Sequence, residues 1–209
     1  MNIFKTTKHY KDWWTNRKAD WKISYLDTWN HPHRYFLVGI LKHLRWLSLL
    51  EIGCNAGPNL ANIVKNIPGR QVGGIDVNPE AIALAEKTFK GGYFRVNSAD
   101  DIMMSDNSTD VVLSDACLIY VGPRKIHKYL REIKRIGRNY LVLCELHSES
   151  WLKRIMLRLR SGYFAYNWPR LLRGEGLYDV NTYKIPRDMW PGTPWEEFGY
   201  VIVAKIPKR

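Results

Sequence analysis

Apolar residues along this chain fall into short runs that alternate with stretches of helical spacing. The runs Ser48–Ile52, Gln71–Asn78, Tyr93–Val96, Asp110–Ser114 and Tyr140–Glu145 predict five strands. Val111-Val112-Leu113 has the unbroken apolar character of a strand covered on both faces. Between the strands, Pro58–Asn66, Pro79–Phe89 and Lys125–Ile136 carry apolar residues three and four apart and predict helices. Tyr35–Leu47 reads the same way, with Phe36, Ile40, Leu41, Leu44 and Leu47 as its stripe. Such alternation specifies an α/β, doubly wound, mostly parallel sheet. Tyr178–Ile185 and Gly199–Ile206 then form two strand-like segments, separated by Pro186, Pro191, Gly192 and Pro194 rather than by a helical pattern. They predict a hairpin-like ending with an antiparallel strand.

The chemistry centres on Leu49-Leu50-Glu51-Ile52-Gly53-Cys54-Asn55-Ala56-Gly57-Pro58-Asn59-Leu60, where a strand ends in an acid, turns on glycine and opens a helix at Pro58. Glycine permits a sharp bend and a close approach to a ligand. Proline suits a first helical position, where its missing N–H has no partner to lose. This stretch resembles the cofactor loop of class I S-adenosylmethionine-dependent methyltransferases, an acid followed by Gly-x-Gly-x-Gly, with Asn55 at the middle glycine. Asn is the next most tolerant residue of left-handed backbone. The Gly53–Gly57 spacing does not supply the Gly-x-Gly-x-x-Gly of a nicotinamide enzyme, which leaves that alternative third. The resemblance spans about Tyr35 to His147 and implies a seven-stranded Rossmann-like sheet whose last strand is antiparallel.

It also implies roles for residues. Glu51, Gly53, Cys54, Asn55, Gly57 and Asn59 form the loop whose amides would meet the methionine carboxylate of the cofactor. Asp76 follows the second strand, 19 residues after Gly57, and would accept from the ribose diol, with Val77 and Asn78 beside the adenine. Asn78, before Pro79, is also a helix cap. Ser98 and Ala99 stand where relatives contact adenine, and Asp100 supplies the charge that Ser98 lacks; an acidic surface turn is the other reading. Asp115 and Ala116 leave the fourth strand beside the methyl group, and Tyr120 follows them. His33 and His147 are candidate general bases or simply capping and surface residues, with Glu145 and Tyr166 behind them.

Composition sets the bounds. The 209 residues are 45% hydrophobic and 25% charged, which suits one folded domain, 1–209. Its parts are an N-terminal helical extension (1–34) rich in Trp13, Trp14, Trp21 and Trp29, a cofactor-binding core (35–147), and substrate-side loops with the last two strands (148–209). Cys54, Cys117 and Cys144 suit neither a disulfide framework nor a zinc site, and no metal is expected. No run is long enough to cross a bilayer, and Met1-Asn2-Ile3-Phe4-Lys5 does not open a signal-peptide core, so a cytoplasmic chain is expected.

The formal net charge of +12 suits RNA, an acidic substrate or an anionic membrane surface, or is a solvated basic surface. Trp151–Arg160 is a basic amphipathic segment that either lies on the sheet or offers its face to lipid or RNA. Tyr163, Phe164, Tyr166, Trp168, Trp190 and Trp195 crowd two late loops, as a wall for an acceptor or a cover for the sheet. The resulting expectation is methyl transfer from S-adenosylmethionine to an oxygen or nitrogen on a small molecule or glycan-type metabolite. An RNA methyltransferase and a non-catalytic cofactor-binding partner subunit are the alternatives.

Overall fold

The computed structural model describes residues 5–208; the expectation for Met1–Phe4, and with it the first part of the 1–34 extension, lies outside the described residues. The strands are β1 (Ser48–Ile52), β2 (Gln71–Asp76), β3 (Phe94–Val96), β4 (Thr109–Asp115), β5 (Gly137–Leu146), β6 (Tyr178–Lys184) and β7 (Gly199–Lys205). They form one sheet in the order β3-β2-β1-β4-β5-β7-β6. β7 runs antiparallel to both of its neighbours, and the other strands are parallel, as expected. Alternate residues of each central strand enter opposite layers. Leu50, Val112, Leu143 and Ile202 face one core, and Leu49, Val111, Val142 and Val203 the other.

Helices α4 (Pro58–Asn66) and α5 (Pro79–Thr88) cover the second face together with α3 (Pro32–Lys42). α6 (Pro123–Ile136) and α8 (Trp168–Gly174) cover the first. α3 departs from expectation in place and in face. Pro32 starts it three residues early, and it ends at Lys42, where the Trp46 indole N–H donates to the Leu41 carbonyl at 3.0 Å. Leu37, Val38 and Leu41 are its buried stripe, while Leu47 stands in solvent. The extension forms α1 (Thr7–Asn16) and α2 (Trp21–Ser24), packed over the carboxyl ends of the parallel strands. α7 (Trp151–Ser161) lies on the surface and buries only Leu157. α9 (Trp195–Phe198) is a single turn before β7.

Candidate active site

The turn after β1 takes the shape its residues allow. Gly53, Asn55 and Gly57 have φ of 71°, 54° and 86°, the left-handed region that Gly and Asn tolerate. A Cβ on Gly53 would come within 2.5 Å of Cys117 Sγ, so the turn lies against the strand-end segment after β4. The expected use of its amides is corrected by their partners. The Gly53 and Cys54 amides both donate to the Ile75 carbonyl, Asn55 N donates to Asp76 Oδ2 and Gly57 N to the Cys54 carbonyl. Ala56 N donates to Asn55 Oδ1, which also folds the Asn55 side chain back on its own turn. All five amides have acceptors within the chain, that of Asn55 being the Asp76 carboxylate, rather than standing open for the carboxylate of a ligand.

Beside this turn a cavity of about 580 Å³ opens at the carboxyl ends of β1, β2 and β4, the ligand position of open α/β sheets. Its polar floor joins three elements. Asn59 Nδ2, from the first turn of α4, donates to Glu51 Oε1 at 2.6 Å and to Asp115 Oδ2 at 2.9 Å. Glu51 Oε2, Asn59 Oδ1 and Asp115 Oδ1 are buried acceptors with no hydrogen-bond partner among the described residues. Arg34 lines the same cavity: its Nη1 lies 2.9 Å from His33 Nε2 and Nη2 donates to Thr28 Oγ1, while Nε has no partner among the described residues. Unmatched acceptors and an unmatched guanidinium N–H on residues of one cavity suit a zwitterionic ligand, since each buried polar group left unmatched costs stability.

Charges here are set by burial first. Burial pushes the Glu51 carboxyl up to about 8, against the opposing hydrogen bond from Asn59. Burial also acts on Asp115, but His33, Arg34 and Asn59 outweigh it and hold that carboxyl below the usual range. Asp76 is raised by burial despite the amides of Asn78 and Asn55. His33 is buried, with Nε2 2.9 Å from Asp115 Oδ2, Nδ1 2.6 Å from His31 Nδ1, and the Trp190 ring stacked on it at 3.8 Å. Burial and the neighbouring His33 and Arg34 lower His31 to about 4, which leaves it neutral at physiological pH. Burial raises the Tyr120 hydroxyl far above its ordinary value, so it stays protonated.

Of the residues expected here, Glu51, Gly53, Cys54, Asn55, Asn59, Asp76, Val77, Ser98, Ala99, Asp115, Ala116, Tyr120 and His33 line the cavity. Four others do not. Gly57 packs against Phe89, 2.5 Å from where its Cβ would be. Asn78 caps α5 through Oδ1, and its Nδ2 donates to the carbonyls of Trp14, Thr15 and Arg17, fastening the extension to the strand end. Asp100 accepts from Ser98 Oγ and pairs with Lys11 and Lys128. His147 is buried behind the sheet end, its Nδ1 3.0 Å from the Tyr166 carbonyl and its ring against Tyr200.

The two weaker candidate bases are likewise structural. Glu145 accepts from Ser114 Oγ and from the amides of Cys117, Leu118 and Ile119, fixing the single turn Leu118–Tyr120. Tyr166 donates to the Val121 carbonyl. The late aromatics divide: Tyr163 and Trp190 line the cavity, Trp195 stacks on Trp190 at 3.7 Å, and Trp168 is core. Sequence reasoning missed Arg34, His31 and Thr28; the signal was His31-Pro32-His33-Arg34, which puts two basic side chains in a first helical turn. Tyr10, Trp14, Tyr120 and Tyr163 form an aromatic wall, with Tyr120 5.0 Å from Tyr10 and 5.6 Å from Tyr163.

A family model described as a methyltransferase domain matches residues 49–139. No curated protein matches the chain. Among solved structures, similarity extends to a chain of the Haloferax volcanii complex between the Trm112 methyltransferase activator and a methyltransferase. There the identity is 18%, covering 96% of this chain and 98% of that one, with a TM-score of 0.68. A SAM-dependent methyltransferase from Aquifex aeolicus is 18% identical over 91% of this chain and all of its own, TM-score 0.64. The Burkholderia thailandensis 1,6-didemethyltoxoflavin-N1-methyltransferase, with bound 1,6-didemethyltoxoflavin and S-adenosylhomocysteine, is 17% identical over 97% and 87% of the two chains, TM-score 0.64. The strand order and these likenesses give the chain the Rossmann-like fold of S-adenosylmethionine-dependent methyltransferases, and its residues 49–139 match the methyltransferase-domain model.

Proposed function

We propose that the protein transfers a methyl group from S-adenosylmethionine to an oxygen or nitrogen of a small-molecule or glycan-type acceptor. The observation that carries this is the set of buried, unmatched groups on cavity-lining residues, three acceptor oxygens on Glu51, Asn59 and Asp115 and the Nε donor of Arg34. They suit the ammonium and carboxylate of an amino-acid ligand. Asp76, whose two oxygens each accept one amide and retain a lone pair, takes the ribose hydroxyls. Ser98, Ala99 and Val77 border the adenine.

When bound, the cofactor supplies an electrophilic methyl group. The chain's contribution is positioning, which can be worth about 7–11 kcal/mol of barrier for well-aligned reactants. The wall of Tyr10, Trp14, Tyr120 and Tyr163 holds a planar or apolar acceptor, and Tyr120, kept protonated, donates a hydrogen bond to it. His33, held by Asp115, is the group that takes the acceptor proton, with neutral His31 next along the chain of nitrogens.

Transfer of a radiolabelled methyl group into fractionated lysate tests the reading. Label in a small, nuclease-resistant fraction is the expected result. Tight S-adenosylhomocysteine binding with no label transferred to any fraction overturns it in favour of a non-catalytic partner. The net charge of +12 favours RNA as a second acceptor, and label lost on nuclease treatment would establish that instead.

A further inference from the structure

Helix α7 turns its apolar face the wrong way for a helix packed on a sheet. Leu157 points inward and is buried, whereas Trp151, Leu152, Ile155, Met156 and Leu159 are 66%, 53%, 47%, 40% and 50% exposed. Their spacing of one, three, one and three residues places them on a single stripe opposite Leu157. Basic residues border that stripe on both sides, Lys153 and Arg160 along one edge, Arg154 and Arg158 along the other. Arg154 donates to the Ser148 and Glu149 carbonyls, and Arg158 donates to the Lys5 carbonyl and lies over the Phe164 ring. Lys153 is 3.8 Å from Glu197, a surface pair. The helix is firmly built, with Ser150 at its N-cap and left-handed Gly162 at its end.

We propose that this face of α7 docks on an anionic membrane surface, with the apolar stripe at the headgroup boundary and the flanking cations on lipid phosphates. The argument is charge complementarity joined to an outward apolar stripe, the two features that together hold a helix in the plane of an interface. Trp151, at one end of the stripe, has the amphipathic ring that such boundaries favour. A second copy fits less well, because symmetric pairing of the stripes would set basic rows against basic rows. Phosphates of RNA would match the cations and leave five apolar side chains without a role. Docking would also place the cavity near the bilayer, since Gly162 and Tyr163 continue directly from α7, and Tyr163 lines the cavity. No helix among the described residues is long and apolar enough to cross a membrane, so attachment through α7 is peripheral.

Cosedimentation of the full chain with vesicles tests this, using phosphatidylcholine alone and an equal mixture with phosphatidylglycerol. The expected result is pelleting with the mixed vesicles only, weakened at least tenfold by Leu152→Ser with Ile155→Ser and, separately, by Arg160→Glu. These side chains are on the surface, so an unchanged melting temperature and unchanged S-adenosylhomocysteine binding will show the variants folded. Failure of the wild-type chain to pellet with mixed vesicles overturns the proposal. So does pelleting indifferent to the two apolar substitutions. A wild-type dimer in sedimentation velocity that Ile155→Ser dissociates, without vesicle binding, overturns it in favour of a second copy. RNA binding lost in Arg160→Glu alone, again without vesicle binding, does so in favour of a nucleic acid.

Discussion

The Asn59 side-chain amide donates to Glu51 Oε1 at 2.6 Å, tying the first turn of α4 to the end of β1 beneath the cavity. This contact and the one to Asp115 spend the amide hydrogens on carboxylates and leave the Asn59 carbonyl and Glu51 Oε2, buried on cavity-lining residues, without donors. In the proposed reading these oxygens receive the cofactor's ammonium, and a pH dependence follows.

Glu51 has a folded pKa of about 8 against an ordinary 4.5. The folded state then holds the proton more tightly than the unfolded one. Its stabilising effect is complete below about pH 4.5 and is lost as pH rises through about 8. Glu145, raised to about 7 by burial, acts in the same direction. Melting temperature should fall across this window, and Glu51→Gln should flatten the part due to Glu51, at most about 1.4 kcal/mol per pH unit. Binding of a ligand ammonium favours the carboxylate, so S-adenosylhomocysteine affinity should rise with pH up to about 8 in the wild type and not in Glu51→Gln. Titration calorimetry at several pH values checks both.

Asp76→Asn should weaken S-adenosylhomocysteine by about 10- to 100-fold, the worth of one or two hydrogen bonds to a charged acceptor. Part of that loss arises from the turn, since Asn55 N uses the same carboxylate. Calorimetric affinity equal to wild type would remove Asp76 from the ribose site.

Asn78→Ala should act on stability instead. It removes the α5 cap and the bonds from Nδ2 to the Trp14 and Arg17 carbonyls. A loss of about 2–3 kcal/mol is expected from a cap and its buried partners, read by urea denaturation. Limited proteolysis should cut within residues 5–30 first, while cofactor affinity falls less than in Asp76→Asn.

His33→Ala should lower kcat by about 10²–10⁴-fold if the acceptor must lose a proton. The affinity for S-adenosylhomocysteine should change far less. An equal loss in both would mark His33 as a positioning residue beneath Asp115.

The sheet was legible because buried strands advertise themselves: Val111-Val112-Leu113 and Leu141-Val142-Leu143 can do little else than sit between two layers. The glycine turn was legible too, since Gly53 and Asn55 adopt the left-handed backbone their chemistry permits. Direction was not. Asp76 ends β2 and Asn78 stands two residues beyond it, yet the first lines the cavity and the second grips the extension. Asp100 and Ser98 divide in the same way. Which side of a loop a polar residue takes depends on partners distant in sequence, and Arg34 joins the site because the first turn of α3 reaches Asp115 at the end of β4.

The placement of β7 carries a consequence for how the molecule is made. β6 touches the sheet only through β7, which leaves the ribosome later and must wedge between β5 and β6. Until some twenty residues past β6 have emerged, that strand has no backbone partner and β5 presents a bare apolar edge. A nascent chain stalled in this interval would be prone to aggregate, and a chaperone that shields open strand edges would be needed most at that moment.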